Sequence, residues 1–158
     1  MNRKGFTLIE VLAVVIIIGL LGVLIVPGLL NNINTAKEKS YNTLISNIVT
    51  GAQTYYEECE YGDLSNRNKY GNYACTINTS EKTITITLGT LANTGLLKTS
   101  DTKTENNKEI KIVKDPKTDK EISDCKIQIK KQVNMATYKV TYQITNIDTN
   151  NICPTEYK

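Results

Sequence analysis

The feature that most constrains the fold of this chain is an apolar run of 20 residues, from 11 to 30, that contains no charged side chain. A helix of that length rises ~30 Å, which is the thickness of the hydrocarbon core of a bilayer. A secretory signal peptide has a shorter apolar region before its cleavage site, and no Ala-x-Ala pattern follows this run. The sequence therefore predicts a membrane-spanning helix over residues 6–30.

Basic residues are distributed unevenly around this run. Arg3 and Lys4 precede it, and the next basic residue is Lys37. Positively charged residues that flank a membrane helix stay on its cytoplasmic side. We therefore expect a single-pass protein of the cytoplasmic membrane, with its amino terminus in the cytoplasm and the bulk of the chain outside.

One acidic residue, Glu10, lies within the apolar stretch. A carboxylate in lipid costs several kcal/mol unless it is partnered, so such a residue is a functional candidate. The alternative is that Glu10 lies near the lipid headgroups. A cut between Gly5 and Phe6 would remove both leader charges and create an α-amine, which is a cation suited to pairing with the Glu10 of a neighbouring chain.

These residues carry a family resemblance. Arg-Lys-Gly at residues 3–5 is followed by Phe-Thr-Leu-Ile-Glu-Val at residues 6–11 and then by the apolar helix. The arrangement resembles the N-terminal motif of type IV pilins and type II secretion pseudopilins. The resemblance implies that residues 1–5 are a leader peptide, that a prepilin peptidase cuts after Gly5, and that Phe6 is N-methylated. It also implies that Glu10 pairs with the Phe6 amine of an adjacent subunit and that Pro27 kinks the helix.

The resemblance also implies a set of partners. They are the prepilin peptidase, other pilin subunits in a homopolymer or a mixed filament, an assembly platform membrane protein, and the membrane itself before assembly. The implied final location is an extracellular filament on the cell surface. A net charge of +3 is too small to argue for nucleic-acid binding.

Beyond Pro27, apolar residues recur at steps of three and four from residue 33 to residue 59. This spacing is typical of an amphipathic helix that packs on its own domain. We assign residues 31–58 to this helical spine. Residues 6–58 would then form one helix of ~80 Å.

The remaining segment, residues 59–158, is expected to form a globular β-rich domain tied by disulfides. Alternating residues predict strands at 83–88, 109–113 and 122–133, and another from residue 138 to residue 144. The first of these strands leads into a short helix near residues 88–93, and the charged residues 98–108 are expected to form a loop. Three antiparallel strands laid on the long helix would bury its apolar stripe. The predicted fold class is therefore α+β, like that of pilins.

The four cysteines are Cys59, Cys75, Cys125 and Cys153. The chain contains no Cys-x-x-Cys pair and no histidine, so a zinc site has little support. An exterior location favours disulfides, for which three pairings are possible. The two sequence-local bridges, Cys59–Cys75 and Cys125–Cys153, are favoured because local turns can close each loop. The second resembles the bridge that fastens the carboxyl-terminal loop of many type IV pilins.

An acidic cluster is the one candidate metal site, and its members are Asp115, Asp119, Glu121 and Asp124. Carboxylate oxygens suit calcium, which some pseudopilins bind in a loop. Three lysines interleave with these residues and largely neutralise them, so a solvated turn is favoured. The sequence therefore predicts no resident metal and no other cofactor.

The absence of histidine also excludes serine–histidine and cysteine–histidine nucleophiles and imidazole proton transfer. The resemblance to type IV pilins implies a structural subunit of a type IV pilus or pilus-like filament, and the missing histidines agree with a chain that is not an enzyme. The alternative within the family is a minor, competence or type II secretion pseudopilin. From a different class, the chain could be an uncleaved, membrane-anchored extracellular binding domain.

Overall fold

A computed structural model describes residues 7–61, 75–148, 153–154 and 157, and of residues 23–30 it describes the backbone alone. Contacts divide the chain into two compact units, Met1–Lys39 and Ser40–Lys158. Two helices and five strands follow one another in the order α1 (Leu8–Tyr61), β1 (Thr83–Thr87), α2 (Leu88–Asn93), β2 (Thr102–Glu105), β3 (Lys108–Lys111), β4 (Lys126–Asn134) and β5 (Lys139–Asn146). The predicted segments 6–30 and 31–58 both fall largely within α1, which also contains Pro27.

In the first unit, the large apolar side chains between Leu8 and Leu21 are 51 to 84% exposed. Judged on the residues that the structure describes, no helix is both long and apolar enough to cross a membrane. The membrane span predicted over residues 6–30 is therefore not confirmed.

In the second unit, α1 buries one stripe of side chains against the rest of the domain. Residues at spacings of three and four share one face of a helix, which explains why these side chains are buried together. The stripe consists of Ile45, Ile48, Ala52, Tyr55, Tyr56 and Cys59. The opposite face carries exposed polar residues such as Ser46 and Asn47.

The face that covers this stripe belongs to a three-stranded antiparallel sheet with the order β1-β4-β5. Alternate residues of a strand point to opposite faces, so the isoleucines of each strand lie on the helix side. The register aligns Ile84 with Ile129 and then Ile129 with Ile144, all of them buried. The predicted α+β fold, a long amino-terminal helix with a small antiparallel sheet, is confirmed.

The expectation of a loop over residues 98–108 is wrong, because β2 and β3 form a separate two-stranded hairpin there. Asn106 and Asn107 connect the strands with φ angles of 50° and 60°. Two consecutive positive φ values are typical of a tight two-residue hairpin turn, and asparagine tolerates that conformation well. The strand predicted at 109–113 is present as β3. The residues of β2 are all exposed, so no apolar alternation indicates that strand in the sequence.

The strand predicted over residues 122–133 begins only at Lys126. Ile122 is buried, as a strand residue would be, but the Cys125 N–H donates to the Ile122 carbonyl and closes a turn.

The short helix expected near residues 88–93 is present as α2. The hydroxyl of Thr87 caps it by accepting the Thr90 N–H at 3.1 Å.

Candidate functional site

The amino-terminal site is built around the start of α1. Thr7 immediately precedes the helix, and its carbonyl accepts the backbone N–H groups of Glu10 and Val11 at 3.1 and 3.3 Å. Glu10 folds back over the same turn. Its Oε2 accepts the Thr7 backbone N–H and the Thr7 hydroxyl, both at 2.8 Å. This is one half of a capping box, in which the acidic residue three places on satisfies the N–H of the capping residue.

This geometry places the Glu10 carboxylate at the positive end of the helix dipole, where a negative charge is stabilised. Glu10 is exposed, and its second oxygen, Oε1, accepts no hydrogen bond from the residues that the structure describes. The carboxylate therefore has a free acceptor for a cation from outside the chain. The predicted cleavage between Gly5 and Phe6, and the methylation of Phe6, lie outside the described residues.

An apolar surface follows this carboxylate along the helix. Positions at steps of three and four form an open groove on its side, lined by Leu8, Val11, Leu12, Val15 and Ile16. All five side chains are more than half exposed. An apolar surface of this extent favours transfer out of water, either into lipid or against other helices. The site thus joins one anionic group to an apolar helix surface.

The four cysteines form two disulfides, Cys59–Cys75 and Cys125–Cys153, the pairing that the sequence favours. The Cα atoms of the two pairs are 5.5 and 5.6 Å apart. Cys125, Cys153 and the adjacent Pro154 are buried. The second bridge therefore anchors the carboxyl-terminal segment in the core, next to the start of β4.

The acidic turn is held together by its own hydrogen bonds. Asp115 Oδ1 accepts the Lys117 N–H at 2.9 Å, and Asp115 Oδ2 accepts the Thr118 hydroxyl at 2.7 Å. Glu121 instead pairs with Lys103 at 3.0 Å, and the hydrogen bond from that ammonium group lowers the pKa of Glu121.

Asp119 and Asp124, the other members of this cluster, do not complete a metal site. Across the described part of the chain, no three cysteine or carboxylate side chains converge in a group that could hold a metal ion. The Asp115 carboxylate instead holds the turn together, and the Glu121 carboxylate pairs with Lys103.

One group of charged residues was not anticipated from the sequence. The ammonium group of Lys131, on β4, contacts the Glu60 carboxylate and the Tyr61 hydroxyl at the end of α1. Its side chain is only 9% exposed, and the hydrogen bond that its ammonium group donates to Glu60 raises the pKa of Lys131. Lys131 lies on the same side of the sheet as Ile127 and Ile129, the side that packs against α1. The strand alternation therefore places a charge on this inner side.

A signal for this pair does exist in the sequence. The last turn of α1 carries Glu57, Glu58 and Glu60 but no basic residue. Carboxylates are unfavourable at the negative end of a helix dipole. Their presence there implies that a basic side chain from another part of the chain pairs with them. The sequence alone does not say which lysine it is.

Comparison with known proteins bears on the amino-terminal site. A family model described as the prokaryotic N-terminal methylation motif matches residues 1–26, which include Thr7 and Glu10. No curated protein and no solved structure matches the chain significantly. Residues 1–26 are therefore a class III prepilin signal, the amino-terminal motif of type IV pilins and pseudopilins.

Proposed function

We propose that this protein is a prepilin, the structural subunit of a type IV pilus or pilus-like filament. The observation that carries the proposal is the methylation motif at residues 1–26, in which the Glu10 carboxylate faces outward at the start of an apolar helix. The α+β fold, with a long amino-terminal helix and a small antiparallel sheet, supports the same function. The role is structural and not catalytic, and the lack of histidine agrees with it.

The proposed pathway begins in the cytoplasmic membrane, with Arg3 and Lys4 on the cytoplasmic side. The prepilin peptidase cuts between Gly5 and Phe6, and the new amino terminus is methylated. The amine of Phe6 keeps a positive charge after N-methylation. It can therefore pair with the Glu10 carboxylate of an adjacent subunit as the assembly platform transfers the helix into the filament.

Pairing of these two groups would set the register between subunits. In an apolar environment an unpaired carboxylate costs several kcal/mol, so a subunit that enters out of register is penalised. The apolar surface around Val11 and Leu12 would supply most of the packing, while Glu10 selects one alignment. Pro27 lacks a backbone N–H and gives the helix a place to bend during this transfer.

Intact-mass analysis tests the proposal. The full chain is co-expressed with a prepilin peptidase, and the cell-associated protein is measured. We expect a species that begins with methylated Phe6, and we expect the variant Gly5→Trp to remain at full length. A full-length native chain in the presence of active peptidase would overturn the proposal and would favour an uncleaved, membrane-anchored binding domain.

The finer assignment depends on abundance. Immunogold labelling along whole filaments is expected of a major pilin. Labelling confined to filament tips is expected of a minor pilin. A chain that is cleaved but never labelled on surface filaments would instead be a type II secretion or competence pseudopilin.

A further inference from the structure

The carboxyl-terminal end of α1 carries three carboxylates, and among the residues that the structure describes only one lysine is paired with them. Glu60 is paired with Lys131, and Glu57 accepts a hydrogen bond from the Tyr142 hydroxyl. Glu58 differs, because its Oε2 is buried and has no hydrogen-bond donor among the residues that the structure describes. A buried carboxylate oxygen without a partner is costly, and a cation from outside would relieve that cost.

These residues line a groove of about 600 Å³ between the end of α1 and the β4–β5 hairpin. We call it the helix-end groove, and it is lined by Thr54, Glu57, Glu58, Tyr61, Lys131, Val140 and Tyr142. Tyr61 is 76% exposed and Val140 is 43% exposed. The groove therefore offers carboxylates beside apolar surface, which suits a lysine side chain because it has an aliphatic stem and a charged head.

The opposite side of the same hairpin has the complementary charge. Residues of β4 and β5 that alternate with the inward-facing ones point away from α1. We call this surface the sheet face, and its exposed members are Lys126, Lys130, Gln132, Asn134, Lys139, Thr141, Gln143 and Thr145. It contains three lysines and no carboxylate. Within the described ranges, none of the three lysines forms an ion pair.

We propose that the helix-end groove of one copy receives Lys130 and Lys139 from the sheet face of a second copy. The argument for a second copy is that two surfaces of one domain have opposite charge and both are exposed. Lys139 lies opposite Asn134, four residues beyond Lys130, so the backbone positions of the two lysines are about 13 Å apart along the strands. One lysine would approach the exposed Glu57 and the partly exposed Glu58, while the other would remain near the mouth of the groove.

The position of the two surfaces determines what such a contact builds. The helix-end groove and the sheet face lie on opposite sides of one hairpin, so the contact joins two different surfaces and is heterologous. A row of copies joined in this way has an unoccupied groove at one end and an unoccupied sheet face at the other. Heterologous contacts that do not close into a ring produce open arrays. The inference thus rests on the proposed filament function and assigns to it a contact between globular domains, separate from the pairing of Glu10 with Phe6.

Zero-length cross-linking tests this contact. Unlabelled and heavy-nitrogen-labelled copies of the full chain are mixed in detergent at low ionic strength, and a carbodiimide then joins lysine amines to nearby carboxylates. We expect mixed-isotope peptides that link Glu57 or Glu58 to Lys130 or Lys139. Their yield should fall as salt is added, because exposed charges are screened.

Charge reversal sharpens the test. Glu58→Lys or Lys130→Glu, when present in every copy, should lower the yield about fivefold, as expected for the loss of one exposed ion pair of about 1 kcal/mol. Mixing the two variants should restore a cross-link between the substituted positions. Lys98→Glu reverses another exposed lysine of the same domain and should leave the yield unchanged. Lys130 is exposed, so its variant keeps the test valid if Glu58→Lys does not fold.

Two results would overturn the contact. The first is that no mixed-isotope peptide contains Glu57 or Glu58. The second is that these residues are cross-linked to other lysines with a yield that Lys130→Glu does not lower. Filament incorporation of the same variants is scored separately. Chains that enter filaments without this cross-link would refute the contact and leave the proposed function standing. Cross-linked chains that are never cleaved would refute the proposed function and leave the contact standing.

Discussion

The Glu10 carboxylate lies 2.8 Å from the backbone nitrogen of Thr7 and 2.8 Å from its hydroxyl oxygen. The residue expected to pair with a neighbouring subunit therefore also caps its own helix. Both roles use the same side chain, but only the pairing role requires a negative charge. A glutamine can occupy the same place in a capping box, so the two roles can be separated by substitution.

Glu10→Gln should keep the helix start and abolish filament incorporation. The amide oxygen can still accept the Thr7 N–H, whereas a neutral side chain cannot neutralise the Phe6 amine of an adjacent subunit. Expression and peptidase cleavage should remain normal, and the variant should be absent from sheared filaments by immunoblotting.

Glu10→Val removes both the cap and the charge, and it serves as the comparison. It should also fail to assemble while still inserting in the membrane. If Glu10→Gln subunits assemble at the native level and only Glu10→Val fails, the cap and not the ion pair is the assembly determinant.

Lys131→Met should destabilise the carboxyl-terminal unit by about 1 kcal/mol, because Lys131 is largely buried but its partner carboxylate is partly exposed to water. The side chains of Lys131 and Glu60 are 9% and 27% exposed. The free energy of unfolding can be followed by urea titration with tyrosine fluorescence, since the chain has nine tyrosines and no tryptophan.

Lys130→Met is the matched control for this measurement. It changes the neighbouring residue, whose side chain lies on the exposed sheet face, and its effect should stay within about 0.5 kcal/mol. Adding Glu60→Gln to Lys131→Met should recover part of the loss. Equal destabilisation by the two lysine variants would show that the ion pair contributes nothing specific.

The stability of this unit should decline at alkaline pH. Burial and a hydrogen bond to Glu57 raise the pKa of Tyr142 to about 12, from 10.0, and the hydrogen bond to Glu60 raises the pKa of Lys131. A group whose pKa is raised on folding holds its proton more tightly in the folded state, so its contribution is complete below the unfolded pKa and is lost as pH rises through the folded value. Urea midpoints should be constant below about pH 10 and should fall between pH 10 and pH 12.

Tyr142→Phe provides the check on this pH dependence. It removes one titrating group, so the fall in the urea midpoint above pH 10 should become shallower than in the native chain. An unchanged slope would mean that Tyr142 does not contribute to the alkaline loss.

The sequence predicts the parts of this fold that are governed by apolar periodicity. The stripe that contains Ile48 and Tyr55 follows helical spacing, and the alternation of Ile127 and Ile129 identifies a strand. The strand predicted at 109–113 corresponds to β3, but β2 and the turn that joins the two strands escaped prediction. This hairpin is held by backbone pairing and by the positive φ angles of Asn106 and Asn107, and β2 buries no side chain.

The same distinction applies to the functional residues. The amino-terminal site is contiguous, so Thr7, Glu10 and the apolar run can be recognised together in one segment. The pair formed by Glu60 and Lys131 is different, because these residues are 71 positions apart and meet only through the packing of β4 against α1. Neither residue has a local pattern that identifies its partner.

Gly51 offers a test of the contact between α1 and the segment after α2. A Cβ atom built on Gly51 would lie 2.7 Å from the Leu96 carbonyl oxygen, which is closer than real Cβ contacts allow. In an open helix the change from glycine to alanine stabilises by about 1 kcal/mol. At this position the overlap with backbone should outweigh that gain, because overpacking costs about 1–3 kcal/mol.

We therefore expect Gly51→Ala to lower the free energy of unfolding by about 1 kcal/mol, the difference between these two opposing effects. The control is Asn47→Ala, on the exposed face of the same helix, which should be neutral or slightly stabilising because alanine favours helix and no atom is displaced. Urea titration of both variants measures the difference. A gain in stability for Gly51→Ala would mean that the Leu96 segment moves away at little cost, and that the close approach of its carbonyl to α1 is not needed to hold the helix on the sheet.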